Sequence, residues 1–157
     1  MRHAGFSMLT VFPEEMLQMD KVNFHFEIDG ENFTSAGEAS VRIKKLLREM
    51  GFNPEIIRRV SVAMYEGEIN MVIHANGGTA DVDVYVDRIE ITLADCGPGI
   101  SDIELAMQEG YSTAPDNIRS LGFGAGMGLP NMKRYTDDMR IESEVGKGTT
   151  VYMTVNV

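Results

Sequence analysis

Residues 54–95 read PEIIRRVSVAMYEGEINMVIHANGGTADVDVYVDRIEITLAD, and the order of patterns in this stretch decides the fold. Pro54 suits a first helical turn, and Ile56, Ile57, Val60, Ala63 and Met64 recur at helical spacing, so the segment predicts a helix running to about Ala75. Asn76-Gly77-Gly78 breaks it. Val82, Val84 and Val86 then alternate with Asp81, Asp83 and Asp87, and Ile89, Ile91 and Leu93 follow after Asp87-Arg88. A two-residue period on both sides of a short turn predicts a β-hairpin with one buried face.

Upstream, Val22, Phe24, Phe26 and Ile28 alternate as a strand ended by Asp29-Gly30. Ser35 and Glu38 have the spacing of a capping box ahead of a helix whose stripe is Ala39, Ile43, Leu46, Leu47 and Met50, closed by Gly51. Downstream, the pattern gives a short helix from Ser101 to Gln108 and a glycine-rich stretch from Gly110 to Gly128. A helix from Leu129 to about Thr136 and strands around Ile141 and Val151 to Val155 complete the chain. The order β-α-α-β-β-loop-α-β-β predicts an α+β two-layer sandwich, its sheet mixed but mostly antiparallel, with helices on one face.

The whole chain has 157 residues, one domain's worth. Residues 1–20 read as an N-terminal extension without an assignable role, and residues 21–157 as one domain. The net charge of −10 argues against nucleic acid as a partner. No apolar run approaches the roughly 20 residues that span a bilayer, so no membrane partner is expected. Cys96 stands alone, which excludes an intramolecular disulfide and a cysteine-built zinc site. With no signal-peptide pattern at the start, a reducing cytoplasmic location is the expectation.

Nine of the 16 glycines lie between Gly97 and Gly148, so close backbone approach is concentrated in the second half. Gly122, Gly124, Gly126 and Gly128 alternate with Phe123, Ala125 and Met127 and run into Leu129-Pro130-Asn131-Met132-Lys133. A glycine loop opening a helix suits phosphate, although a plain surface loop has the same composition. Asp95-Cys96-Gly97-Pro98-Gly99 follows a buried strand. Its carboxylate can accept the exocyclic amine of adenine, or it can simply start a turn. Glu66, Asn70 and His74 fall on one face of the long helix. An amide oxygen there suits Mg²⁺ shared with phosphates, and a carboxylate can deprotonate a hydroxyl; a solvated helix face is the alternative.

Glu66-Gly67-Glu68-Ile69-Asn70 with His74, then Asp95-Cys96-Gly97-Pro98-Gly99, then Gly126-Met127-Gly128-Leu129-Pro130, then Gly146-Lys147-Gly148-Thr149-Thr150, together resemble the ordered boxes of the GHKL (Bergerat-fold) ATPases. The resemblance covers roughly Val22 to Val157. Within the superfamily, residues 102–113 and the glycine loop look most like the RsbT-type serine-protein kinases of bacterial stress signalling, whose relatives are the anti-sigma factors RsbW and SpoIIAB.

That likeness implies ATP and Mg²⁺ as cofactors, Asn70 on the metal, Glu66 as general base, and Asp95 with Thr149 on adenine. Gly97, Gly99, Met127 and Leu129 would complete the nucleotide site, and Gly110 to Gly128 would form the ATP lid. The partner implied is a STAS-type anti-anti-sigma protein or a sigma factor, and a homodimer follows only by analogy. Two functions are open: phosphorylation of a serine on an antagonist, or nucleotide-gated sequestration of a regulator. Gly67 within the helix, Tyr65 before Glu66, and the insertion Ala114 to Ser120 depart from the family pattern. Arg119, Lys133 and Arg134 are candidate phosphate partners, with surface solubility as the alternative, and Cys96 reads as a small apolar residue rather than a redox sensor.

Overall fold

The computed structural model describes residues 20–112 and 127–157. Strand β1 (Val22–Asp29) leads through a 3-10 turn (Phe33–Ser35) into helix α1 (Glu38–Glu49) and the long helix α2 (Pro54–Ala75). Strands β2 (Gly77–Val84) and β3 (Arg88–Asp95) form the expected hairpin. A single turn α3 (Ile103–Ala106), the seven-residue helix α4 (Gly128–Arg134) and strands β4 (Asp138–Glu144) and β5 (Gly148–Asn156) follow. No helix among the described residues is long and apolar enough to cross a membrane.

The sheet order is β1-β2-β3-β5-β4, and all four pairings are antiparallel. The expected mostly antiparallel sheet is found, and among the described strands no parallel pair occurs: each strand's sheet neighbours run opposite to it, and β5 enters beside β3 in the antiparallel sense. Phe24, Val82, Ile91, Met153 and Met139 stand in one register row across all five strands. That face meets Ile43 and Leu47 of α1, Val60 and Met64 of α2, and Met132 of α4, all at 1% exposure or less. The opposite face is polar, as the alternation requires. On it the His25 ring bonds Asp81 at 2.9 Å and Glu27 at 3.0 Å, contacts that raise its pKa.

The first helix starts differently from its predicted capping box. Ser35 ends the 3-10 turn, which Asn32 caps by accepting from the Thr34 amide, and Gly37, at φ 97°, takes the N-cap position of α1. The side chain that satisfies the helix start comes from 28 or more residues away. Glu68 of α2 accepts from the amides of Gly37 at 2.9 Å, Ala39 at 3.3 Å and Ser40 at 2.5 Å. An anionic group at a helix N-terminus takes up donors that the helix itself cannot use. Local capping chemistry is therefore replaced by a tertiary clamp between α1 and α2.

Gly67 has a packing reason for its place inside α2. A Cβ there would lie 2.0 Å from Leu93 Cδ1 and 3.4 Å from Met132 Cε. The helix thus approaches β3 closely enough to exclude a methyl group. Gly67→Ala is expected to lower stability by about 1 kcal/mol net, because overpacking outweighs the improved helix propensity. Urea unfolding measures it, and an unchanged or raised midpoint would refute the close-packing account.

Candidate functional site

Helix α2 carries Glu66 and Asn70 one turn apart, and β3 ends on Asp95. Both, with the first turn of α4 and the segment Pro98–Asp102, enclose a cavity of about 410 Å³. That volume suits a small organic ligand. Gly99, Met127, Gly128, Leu129 and Thr149 also line it.

Asp95 is held by main chain. Its Oδ1 accepts from the Gly97 amide at 2.9 Å and from the Thr149 amide at 3.2 Å, and Asp95 pairs in register with Thr149 across β3 and β5. Among the described residues no donor reaches its second oxygen, which leaves an acceptor at the cavity wall for a ligand N–H. Gly97 stands behind the carboxylate rather than on the cavity lining, and a Cβ there would meet Ala75 at 2.6 Å. At Gly99, φ is 77° and a Cβ would lie 2.4 Å from the Glu144 carbonyl oxygen, so only glycine fits this turn.

Asn70 faces α4. Its Nδ2 donates to Met132 Sδ at 3.9 Å, and a Cβ on Gly128 would come within 2.9 Å of its Oδ1. Among the described residues nothing donates to the amide oxygen, which is the hard donor a Mg²⁺ ion prefers. Among the described residues no cluster of three His, Cys, Asp or Glu could hold a metal, so an ion at Asn70 would need ligands from water or phosphate. That donor set fits magnesium carried with a nucleotide.

Glu66 is half-buried, and its Oε1 accepts from Asn131 Nδ2 at 3.2 Å. His74 lines the same wall with an exposed edge. Desolvation by surrounding protein lowers its pKa, and the Asp95 charge acts in the opposite direction. The structure therefore brings Glu66, Asn70, His74, Asp95 and Thr149 to one cavity. Arg134 instead pairs with Glu109 at 2.8 Å, and Lys133 is exposed. Cys96 is exposed too, one residue past the end of β3. Gly122, Gly124, Gly126 and Arg119 lie outside the described residues.

Three side chains escaped the sequence reading. Asn131 orients Glu66. Ser143 donates to the Gly148 carbonyl at 3.2 Å, bonds Thr149 Oγ1 at 2.8 Å, and accepts from the Ile100 amide at 2.7 Å, tying the Pro98–Asp102 segment to β5. Glu68 clamps α1. Ser143 and Glu68 shared one signal, a polar residue at a position whose periodicity is otherwise apolar: Ser143 follows Met139 and Ile141 at period two, and Glu68 lies between Met64 and Val72 at period four.

Residues 32–155 match the family profile described as the histidine kinase-like ATPase domain. The chain is 31% identical over 112 residues to the serine/threonine-protein kinase RsbT of Bacillus subtilis, covering 69% of this chain and 78% of that one. It is 32% identical over 139 residues to an anti-sigma F factor of Clostridium acetobutylicum, covering 85% and 92% respectively. Among solved structures, the RsbU and RsbW domains of a Mycobacterium tuberculosis protein align over 85% of this chain and 32% of theirs, with a TM-score of 0.58 and 17% identity. That last likeness concerns the fold. By the profile match and these two relatives, the chain belongs to the histidine kinase-like ATPase family.

Proposed function

We propose that this chain is an ATP-dependent serine/threonine protein kinase that phosphorylates a STAS-type antagonist protein in bacterial partner-switching signalling. One observation carries the reading: a carboxylate fixed by two main-chain amides shares one cavity with a carboxylate and an amide oxygen one helical turn apart. ATP with Mg²⁺ supplies, when bound, a transferable phosphoryl group and the positive charge that offsets it. Asp95 reads the exocyclic amine of the base through its open oxygen, and Gly97 and Thr149 keep that carboxylate from turning. Asn70 offers its Oδ1 to the metal. Glu66 accepts the proton from the acceptor serine hydroxyl, and Asn131 holds it in place for that transfer.

Incubation with labelled ATP and a STAS-domain protein from the same genome is expected to yield phosphoserine on the latter. The similarity to an anti-sigma F factor supports a second reading, in which the same pocket gates capture of a sigma factor. A tight ATP-dependent complex with a sigma factor and no phosphoserine would select it. Asn131→Ala is expected to lower kcat about tenfold, the worth of one orienting hydrogen bond, with KM for ATP nearly unchanged. Steady-state kinetics measure both, and a raised KM at constant kcat would instead place Asn131 in nucleotide binding.

A further inference from the structure

On a chain of net charge −10, the cations are distributed unevenly. Helix α1 exposes Arg42, Lys44, Lys45 and Arg48 within seven residues, a stretch containing no acid. None of the four forms an ion pair among the described residues, and the Arg42 guanidinium lies instead over the Phe26 ring, 5.3 Å from its centre. Glu49, one turn beyond Lys45, forms no ion pair either. Every other described Lys or Arg except Lys133 sits within 3.4 Å of a carboxylate. Among the described residues, a protein with 24 acidic residues thus leaves cations without a carboxylate partner on this face and at Lys133 alone.

The same face carries an apolar side chain. Val41 is 67% exposed and shares a stripe with Lys44, Lys45 and Arg48 at three, four and seven residues on. The inner side of α1, by contrast, is sealed by Ile43 and Leu47 at 0% exposure. Glu68 anchors the start of α1 to α2, so the stripe is presented on a fixed support.

We propose that the outer face of α1 docks an acidic protein surface, one that sets several carboxylates around a small apolar residue. Charge complementarity selects the sign. The rest of the molecule selects the class: an extended polyanion such as nucleic acid or a lipid bilayer would face the repulsion of the whole negative chain, whereas a compact acidic patch meets only α1. An aliphatic centre ringed by cations also suits a protein interface, where apolar anchors carry affinity and charges set register. This docking surface stands whether or not the cavity transfers phosphate.

The test is an NMR titration of the full ¹⁵N-labelled chain with a synthetic helical peptide bearing four glutamates around one leucine. Chemical-shift changes are expected to centre on residues 41–48. Binding should weaken at least about tenfold in Lys44→Glu/Lys45→Glu and in Val41→Asp, and should weaken as salt rises from about 50 to about 300 mM. Because these side chains are exposed, both variants should keep the parent melting temperature and ATP affinity, which separates a failed docking surface from a failed nucleotide site. Changes centred on the cavity, equal binding by the double variant, or tighter binding of a DNA duplex or phosphatidylserine vesicles at residues 41–48 would each overturn the proposal.

Discussion

Replacing Glu66 by alanine is expected to slow phosphoryl transfer to an acceptor serine by about 10²- to 10⁴-fold, the usual worth of a positioned general base. Nucleotide affinity should change little, because Glu66 is assigned to the acceptor's proton and Asp95 and Asn70 to the nucleotide. Glu66→Gln sharpens the comparison. It keeps an oxygen for the 3.2 Å bond from Asn131 and removes only the basic site. Equal losses in the two variants would locate the effect in proton transfer, whereas full activity in Glu66→Gln would show that the carboxylate is not the base. Initial rates with labelled ATP, at saturating partner, measure this directly.

The second large effect is structural. Glu68 is 1% exposed and accepts three amide hydrogens at the start of α1, so Glu68→Ala strands those donors and opens a cavity. A loss of about 3 kcal/mol or more is expected, equivalent to a fall in Tm of roughly 10 °C. Calorimetry measures it, and a Tm within about 2 °C of the parent would contradict the clamp.

Glu68 also carries a pH signature. Burial pushes its pKa above the ordinary 4.5, with the three amides pulling it back. The folded state thus binds the proton more tightly than the unfolded chain does. The contribution is fully present below the unfolded pKa and is lost as pH rises through the raised folded value. The stability of the parent minus that of Glu68→Gln should therefore decline as pH rises from the ordinary glutamate value through the raised folded one, and flatten above it.

The long helix and the hairpin were legible because their signals are local: Pro54 opens the one, Asn76 at φ 57° closes it, and alternation from Val82 to Leu93 fixes which side of the other is buried. The strand order was not, since β4 and β5 form a hairpin whichever of them sits beside β3. Their inserted order matters to the site, because it is β5 that brings the Thr149 amide to Asp95. The Ser35 and Glu38 capping box failed for a related reason. A residue 28 or more positions away supplied a better acceptor, and no local rule sees across such a distance.

At the site, Glu66, Asn70 and Asp95 could be picked out by residue type and spacing, since helical period and strand end place them without tertiary knowledge. Asn131 and Ser143 act on neighbours brought close only by folding, so their roles had no readable spacing. Gly67 looked like a flaw in a helix until Leu93 supplied its reason.

The central claim is that the cavity between α2 and the ends of β3 and β5 holds an adenine nucleotide through Asp95. Isothermal titration of the full chain with ATP and Mg²⁺, set beside Asp95→Asn and beside GTP, tests it most directly. One-to-one binding is predicted, weakened about 100-fold or more in Asp95→Asn because an amide cannot replace the charged acceptor, and absent with GTP, whose base presents a carbonyl where adenine presents its amine. No binding heat with ATP, or an Asp95→Asn variant that binds as tightly as the parent, would contradict it.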